Sequence, residues 1–427
     1  MPDARRDARA PNPIGEAVPD KDSLTDSVTI AAPRLLRGQH GWWYLAEKKL
    51  LLLNANAVDA GDGRLRPEID QRLRAAGVNA PGPRPPYSLT VLTTTTCNLG
   101  CAYCFQNIEQ DPAGGPRPPR IAGVLLQRET ARRILEFVAG KMAEADLKEL
   151  DVHLFGGEPL LNPDGCRDLL ELAAGYGLVS AQMTTNGTLL TRELASELAG
   201  LGLGSVQITF DGNRSDHDQS RVRRSGGGTF DDILANVSAA AEVTGIRWNF
   251  RINVSRKNRA GLHEMIAQIA AGVDPTRCRI GFAIVNDVGI GFTSTVEPDP
   301  ELVDDVVGWT TYASDLGFII SRPRPVQPCR TCTYRDGRLG AVANADGILY
   351  SCWETAGKPG WEVGTAEGGY RPAGEVNGRW VGCGYDARNS APEAAVRFRD
   401  AVDTRVLDYL HTMGRLGLRT PAAQSAG

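Results

Sequence analysis

The sequence predicts an α/β protein built on a partial, six-stranded TIM-like barrel, followed by a small cysteine-rich α+β region. Two observations predict this fold class. From residue 87 onward, six strand-like runs alternate with helix-like runs, which implies a parallel sheet because right-handed crossovers place the helices outside it. From about residue 311, the chain changes to short runs rich in Gly and Cys. Six strand–helix units are fewer than the eight of a closed barrel, so we expect an open one.

The six strand-like runs are rich in β-branched and aromatic residues. The helix-like runs between them carry apolar faces, and in the first of these Ile134, Val138 and Met142 recur at a spacing of four. Ligands of α/β proteins gather at the carboxyl ends of the strands, so functional side chains are expected directly after each run. The runs are "YSLTVLTTT", "ELDVHLF", "SAQMTT", "SVQITF", "RWNFRINV" and "RIGFAIV".

The two ends of the chain are expected to be disordered. Residues 1–33 are rich in Pro, Asp, Arg and Ala without an apolar period, which predicts disorder, and the final "RTPAAQSAG" reads as a second tail. Residues 34–85 predict a hairpin followed by a helix, and the aromatic run from Trp42 to Tyr44 either docks a peptide or packs against the next domain. We expect the barrel over residues 86–310 and a second domain, ending in a helix, over 311–427.

Composition narrows the possible partners and location. The chain has 51 acidic and 47 basic residues, and this absence of a basic excess argues against nucleic acid or an anionic membrane as a partner. The N-terminus lacks the apolar core of a secretory signal, and the longest aliphatic run, Leu50 to Leu53, is too short to cross a membrane. A cytoplasmic location is therefore predicted. In that compartment, nine cysteines indicate metal or redox chemistry rather than a disulfide framework.

The stretch "TTTTCNLGCAYCFQ", residues 93–106, places three cysteines on the loop after the first strand. Cys97, Cys101 and Cys104 can hold three corners of a [4Fe–4S] cluster, because such clusters are bound by cysteine thiolates. The loop has no fourth cysteine, which leaves one iron open to an external ligand. A zinc site is the alternative, although structural zinc usually takes four protein ligands.

This motif, with Tyr103 before the third cysteine, resembles the hallmark of the radical S-adenosylmethionine (radical SAM) enzymes. The resemblance implies that SAM binds the open iron through its amino and carboxylate groups. It also implies that an electron from the cluster cleaves SAM to a 5′-deoxyadenosyl radical, which abstracts a hydrogen from the substrate. A flavodoxin or ferredoxin is the expected electron donor.

Further residues match the same family in order along the chain. "FGGEPL" follows the second strand, and its Gly156, Gly157 and Glu158 correspond to the segment that hydrogen-bonds the amino group of SAM. Glycine permits a close backbone approach, and a carboxylate can receive an ammonium group. Matches also follow the next three strands, where contact with SAM and a plain structural role both remain open: Thr185, Asn186, Thr209, Arg251 and Asn253.

A second cysteine group lies in the C-terminal region, at Cys329, Cys332, Cys352 and Cys383. These residues flank a predicted hairpin with an Asp-Gly turn at residues 346–347, and four cysteines suit a fully ligated metal site, for which zinc is again the alternative. The spacing from the second to the third of them resembles the SPASM or "twitch" extension of radical SAM enzymes. That resemblance implies one auxiliary [4Fe–4S] cluster.

Two departures from the family narrow the function. Too few cysteines are present for a second auxiliary cluster. Trp353 follows Cys352, at the position where sulfatase-maturing members carry an aspartate base, and an indole cannot accept that proton. Sulfatase maturation is therefore disfavoured.

The resemblance implies a maturase that crosslinks or otherwise oxidises a ribosomally made precursor peptide, with residues 34–85 gripping its leader. Modification of a small molecule, such as dehydrogenation of an aminoglycoside, is the alternative, and a non-catalytic iron–sulfur or zinc protein is a third possibility. The sequence identifies no acid or base. Asp211, Glu354 and Asp386 are conceivable, but each is interpreted as a surface carboxylate.

Overall fold

The computed structural model describes residues 32–80, 82–287, 290–325, 329–332, 334–380 and 393–417. Several predictions fall outside these ranges. They concern the disorder of residues 1–31, the tail "RTPAAQSAG", the ligand Cys383 and the carboxylate Asp386.

The N-terminal segment is a three-stranded antiparallel sheet followed by a helix. Strands β1 (Arg34–Gly38), β2 (Gly41–Leu45) and β3 (Leu50–Leu53) pair in that order, and α1 (Pro67–Ala75) follows. The third strand was not predicted. Trp43 is fully buried and donates its Nε1–H to Asp408 Oδ1 at 2.8 Å, so this aromatic packs against the C-terminal part of the chain.

All six predicted barrel strands are present and parallel, and neighbours in sequence are neighbours in the sheet, which confirms the open barrel. The strands are β4 (Tyr87–Thr94), β5 (Leu150–Gly156), β6 (Leu178–Thr185), β7 (Leu203–Phe210), β8 (Arg247–Val254) and β9 (Cys278–Ile284). The helices are α2 (Arg128–Glu144), α3 (Pro163–Ala174), α4 (Arg192–Gly200), α5 (Arg214–Ser220), α6 (Phe230–Val243), α7 (Leu262–Gly272) and α8 (Pro300–Asp315).

The main core lies between these strands and the outer helices. Alternate strand residues point to opposite faces of a sheet. In β8, for example, Trp248, Phe250 and Ile252 join the core with residues of the helices, such as Ile134 and Val138 of α2. The intervening strand residues face the concave side of the open barrel.

The C-terminal region extends the barrel sheet on both edges, to eleven strands within the described residues. A short β10 (Ile319–Ile320) pairs with β9, and β11 (Gly340–Ala343) pairs in parallel with β4. The predicted turn joins β11 to β12, where Gly347 has a φ of +83°. The remaining elements are β12 (Ile348–Tyr350), β13 (Glu362–Thr365), β14 (Gly369–Tyr370), α9 (Ala373–Val376) and α10 (Glu393–Thr412). No helix in the described residues is long and apolar enough to span a membrane.

Candidate functional site

The first cysteine loop begins where β4 ends. The Leu99 N–H donates to Cys97 Sγ at 3.4 Å, and the Cys104 N–H donates to the Cys101 carbonyl at 3.2 Å, so the loop is a compact turn. Burial raises the pKa of the Cys97 thiol and raises the pKa of the Cys101 thiol to about 12. Both thiols therefore hold their protons at neutral pH until a metal displaces them.

The Gly-Gly-Glu segment after β5 rests directly on the backbone that precedes Cys97. The Gly157 N–H donates to the Thr94 carbonyl at 2.8 Å, and the Glu158 N–H donates to the Thr96 carbonyl at 2.8 Å. A Cβ at Gly156, whose φ is +142°, would lie 2.1 Å from the Thr94 oxygen, and one at Gly157 would lie 2.1 Å from the Thr96 oxygen. No other residue type fits either position without moving the cysteine loop.

Glu158 ties the end of β6 to this segment. Its side chain is fully buried, and it accepts hydrogen bonds from Thr185 Oγ1 at 2.6 Å, the Leu160 N–H at 3.0 Å and the Asn186 N–H at 2.7 Å. Burial raises the pKa of Glu158, and these three donors oppose that shift. The carboxylate thus has a structural role in addition to the predicted contact with an ammonium group.

An asparagine pair links β6 to the cysteine loop itself. Asn186 Nδ2 donates to Asn98 Oδ1 at 2.8 Å and lies 3.9 Å from Cys97 Sγ, while Asn98 donates to Thr188 at 2.9 Å. Asn186 therefore reaches the cysteine loop directly, while Thr185 bonds to Glu158. Asn98 was missed, because nothing in the sequence distinguishes it from another polar loop residue.

A buried charge network lies beside the second cysteine, Cys101. Tyr103 donates its hydroxyl to Asp211 at 2.5 Å, and Arg221 donates to the Tyr103 oxygen at 2.7 Å. Asp211 is only 2% exposed, so its interpretation as a surface carboxylate was wrong. Burial raises the pKa of Asp211, and the Arg221 guanidinium opposes that shift. Arg221 was missed, because the sequence does not separate it from the other arginines of "RVRR".

A cavity of about 540 Å³ opens beside this network. Tyr103, Asp211 and Asn253 line it, together with Val285 and Phe292. Arg251 donates to Asn253 Oδ1 at 3.0 Å. Thr209 of β7 is the register partner of Arg251. Of the residues predicted to bind SAM, Tyr103 and Asn253 thus line the cavity, Arg251 bonds to Asn253, and Thr209 lies beside Arg251. Thr185 bonds to Glu158, which is one of four others that lie against the cysteine loop or the residues just before it: Gly156, Gly157, Glu158 and Asn186.

The residues around the loop fit an iron–sulfur cluster. Among the buried N–H groups that have no acceptor within the described residues, four belong to side chains near this loop: Gln106 Nε2, Arg120 Nε, Arg221 Nε and Arg224 Nε. Arg120 also directs Nη1 to Cys104 Sγ at 3.5 Å. Such donors suit the anionic sulfur atoms of a cluster.

Cysteines of the second group also lie close together in the structure. Cys332 Sγ lies 3.3 Å from Cys329 Sγ, and the buried Cys352 packs against both. Trp353 packs on Phe155 and His153, with ring centroids 6.2 Å and 6.5 Å away. The structure therefore brings together three of the four predicted ligands, and Trp353, which follows Cys352, lies against two aromatic side chains of β5.

Comparison with known proteins identifies the barrel. The family model for the radical SAM superfamily matches residues 91–268, which include the first cysteine loop and strands β5 to β8. Over these residues the chain is similar to the radical SAM superfamily. The cofactors of this domain are a [4Fe–4S] cluster and SAM, in agreement with the fit of the loop.

Relatives of the radical SAM domain differ in what they act on. The chain is 30% identical over 188 residues to the PqqA peptide cyclase of Gluconobacter oxydans, covering 43% of this chain and 46% of that protein. It is 33% identical over 156 residues to the GTP 3′,8-cyclase of Rhodopirellula baltica, covering 36% and 39%. Each match thus spans less than half of the relative. The solved structure of anSMEcpe with bound AdoMet and the Cp18Cys peptide shares the fold, with a TM-score of 0.55 and 15% identity over 78% of this chain and 100% of that one.

The Arg120 contact leads to an electrochemical prediction. Adding an electron makes the cluster more negative, so the nearby guanidinium stabilises the reduced form. We expect Arg120→Gln to shift the reduction potential of the SAM-binding cluster to a more negative value, measured by an EPR-monitored redox titration. Arg120→Lys, which keeps the charge, is the matched control and should shift it less. Equal potentials in the wild type and Arg120→Gln would contradict this role.

Proposed function

We propose that this chain is a radical SAM maturase that abstracts a hydrogen from a precursor peptide and leaves an oxidative modification, such as a crosslink. The observation that carries the proposal is the first cysteine loop, whose preceding residues rest on the Gly-Gly-Glu segment and beside which several N–H donors lack acceptors among the described residues. The cluster and SAM supply the radical chemistry there, and the protein positions and shields them.

Individual residues receive the following roles in this proposal. The cavity beside Tyr103 takes the adenosine part of SAM, with Asn253 at the ribose, and its volume suits a ligand of that size. The segment from Gly156 to Glu158 receives the ammonium group, and Arg251 receives the carboxylate. Thr209 and Asn186 complete the surroundings. The buried Arg221 holds the Tyr103 hydroxyl, which fixes one wall of the cavity.

The second cysteine group is assigned to one auxiliary [4Fe–4S] cluster. Cys329, Cys332 and Cys352 would hold it, with Cys383 as the fourth ligand. Four thiolates close a cluster to substrate, so its role is to accept or relay an electron as the product forms. Trp353 offers no proton acceptor at the neighbouring position, which disfavours sulfatase maturation. An external flavodoxin or ferredoxin would supply the electron that starts each turnover.

The peptide substrate is favoured by the similarity to the PqqA peptide cyclase. Modification of a small molecule remains the second candidate, and the similarity to a GTP cyclase favours it to a comparable extent. The deciding experiment has two parts. Reduced, anaerobically reconstituted protein should release 5′-deoxyadenosine from SAM. Coexpression with a peptide encoded beside its gene should then give a mass change in that peptide. An unmodified peptide despite SAM cleavage would favour the small-molecule candidate, and no cleavage would contradict radical chemistry altogether.

The leader of such a peptide would bind at the N-terminal sheet. β3 pairs only with β2 in the described sheet, so the backbone groups on its other edge are free to pair with an extended peptide. We expect precursor peptide to slow amide hydrogen exchange at residues 50–53 of the full chain. Exchange that stays unchanged at these residues while the peptide binds would show that the leader docks elsewhere.

A further inference from the structure

The concave side of the barrel carries an apolar cluster beside polar side chains. At β4 and β5, the concave residues Leu92 and Phe155 pack with Trp353 and Trp361 in that cluster. From β6 to β8 the concave residues are polar, β9 adds Arg279, and several of these side chains are open to solvent. A closed barrel of this architecture fills its interior with branched apolar residues, so this polar surface requires another explanation.

The strand register aligns these polar residues into two rows. Gln182, Ser205 and Arg247 are register partners across β6, β7 and β8. One step further toward the carboxyl ends, Thr184, Gln207, Asn249 and Arg279 are partners across β6 to β9. Asn249 Nδ2 donates to Ser205 Oγ at 2.7 Å, which links the two rows on the same face.

Each row ends in an exposed arginine. Arg247 and Arg279 are solvent-exposed, and neither forms an ion pair with a carboxylate in the described part of the chain. The acidic residue on this face, Asp151 of β5, is already engaged by Ser180 at 2.5 Å and by Arg330 at 3.6 Å. The polar part of the face is therefore positively charged, although the chain as a whole carries a net charge of −4.

The side-chain amides of these rows also have unused hydrogen-bonding groups. Gln182 is exposed and Gln207 is half-buried, and the described residues offer neither amide a hydrogen-bond partner. A carboxamide donates and accepts, and so it complements the N–H and C=O groups of a peptide backbone. Arginine complements carboxylates through paired hydrogen bonds.

We propose that the polar rows on β6 to β9 bind an acidic segment of the substrate peptide, with Arg247 and Arg279 on its carboxylates and the two glutamines on its backbone. The inference rests on the proposed peptide maturase and specifies the chemistry of its substrate. A polycationic aminoglycoside is disfavoured, because it would be repelled by the same two arginines.

The test is binding of labelled synthetic peptides to the full-length, reconstituted protein, measured by fluorescence anisotropy. Three peptides of one sequence carry glutamate, glutamine or lysine at the same positions. The glutamate peptide should bind most tightly and weaken as salt is raised. Arg247→Gln and Arg279→Gln should each weaken its binding about tenfold, as expected for the loss of one charge-assisted contact.

Arg192→Gln is the matched control, because it removes the same charge from the outer helices, where Arg192 pairs with Glu242. It should leave the affinity unchanged. Equal affinities for the three peptides, no binding at all, or equal effects of all three arginine variants would each overturn the inference. Release of 5′-deoxyadenosine by the wild-type protein is scored separately, so a failure of peptide selectivity is distinguishable from a failure of the proposed radical chemistry.

Discussion

Cys101→Ser is expected to reduce SAM cleavage to the uncatalysed background. Cys101 is one of only three thiols on the first loop, and a serine hydroxyl does not replace a thiolate ligand to iron. With two thiols left, the loop holds the cluster too weakly to keep one iron correctly exposed to SAM. The measurements are iron and sulfide content after anaerobic reconstitution, and 5′-deoxyadenosine released in the presence of a chemical reductant.

The matched control for this variant is Cys278→Ser. Cys278 is also buried, but it belongs to the core on the helix side of β9 and lies far along the chain from both cysteine groups. The Cys278→Ser substitution should lower the free energy of unfolding, because a hydroxyl replaces a small apolar group. The first cluster should keep its iron, and SAM should still be cleaved. A Cys101→Ser protein with full iron content and normal cleavage would contradict the assignment of the loop.

Gly157→Ala is expected to have the second-largest effect, and to act through the backbone rather than through a lost ligand. The new Cβ would lie 2.1 Å from the Thr96 carbonyl oxygen and 2.7 Å from that of Thr95. Both contacts are with backbone, which cannot rotate away as a side chain can. Residues 94–96 or the Gly-Gly-Glu segment must move, and the Cys97 thiol moves with them. We expect a loss of at least about 2 kcal/mol in the free energy of unfolding, together with poor iron loading.

Gly140→Ala provides the control for this prediction. Gly140 lies inside α2, and a Cβ there would meet no atom within 4 Å. Alanine is the better helix former, so this variant should be neutral or more stable by up to about 1 kcal/mol. Thermal denaturation of both proteins measures the contrast. A Gly157→Ala protein as stable and as well loaded with iron as Gly140→Ala would show that the close approach of the two segments is dispensable.

The sequence predicted those parts of the molecule that depend on local pattern. The six barrel strands follow from runs of β-branched and aromatic residues, and the cysteine loop follows from a spacing within one short segment. The glycines after β5 were predicted through a family resemblance, and the structure adds the physical reason, which is contact with the Thr94 and Thr96 carbonyls.

The parts that were missed depend on contacts between distant segments. Arg221 and Tyr103 are 118 residues apart, and neither residue's neighbours in sequence indicate that they meet. Asp211 was interpreted as a surface residue, because a carboxylate is usually exposed unless a cation is buried with it. That cation, Arg221, is identifiable only in three dimensions. The third N-terminal strand was missed because four leucines in a row show no alternation.

The pairing of β11 with β4 has a consequence for how electrons travel. Residues 88–91 pair with residues 340–343, so half of the strand that ends at the first cysteine loop is hydrogen-bonded to the hairpin that leads to Cys352. In the proposed enzyme, this backbone ladder would hold the two clusters at a set separation. Because tunnelling rates fall steeply with distance, that separation would keep the rate of electron transfer between the clusters steady.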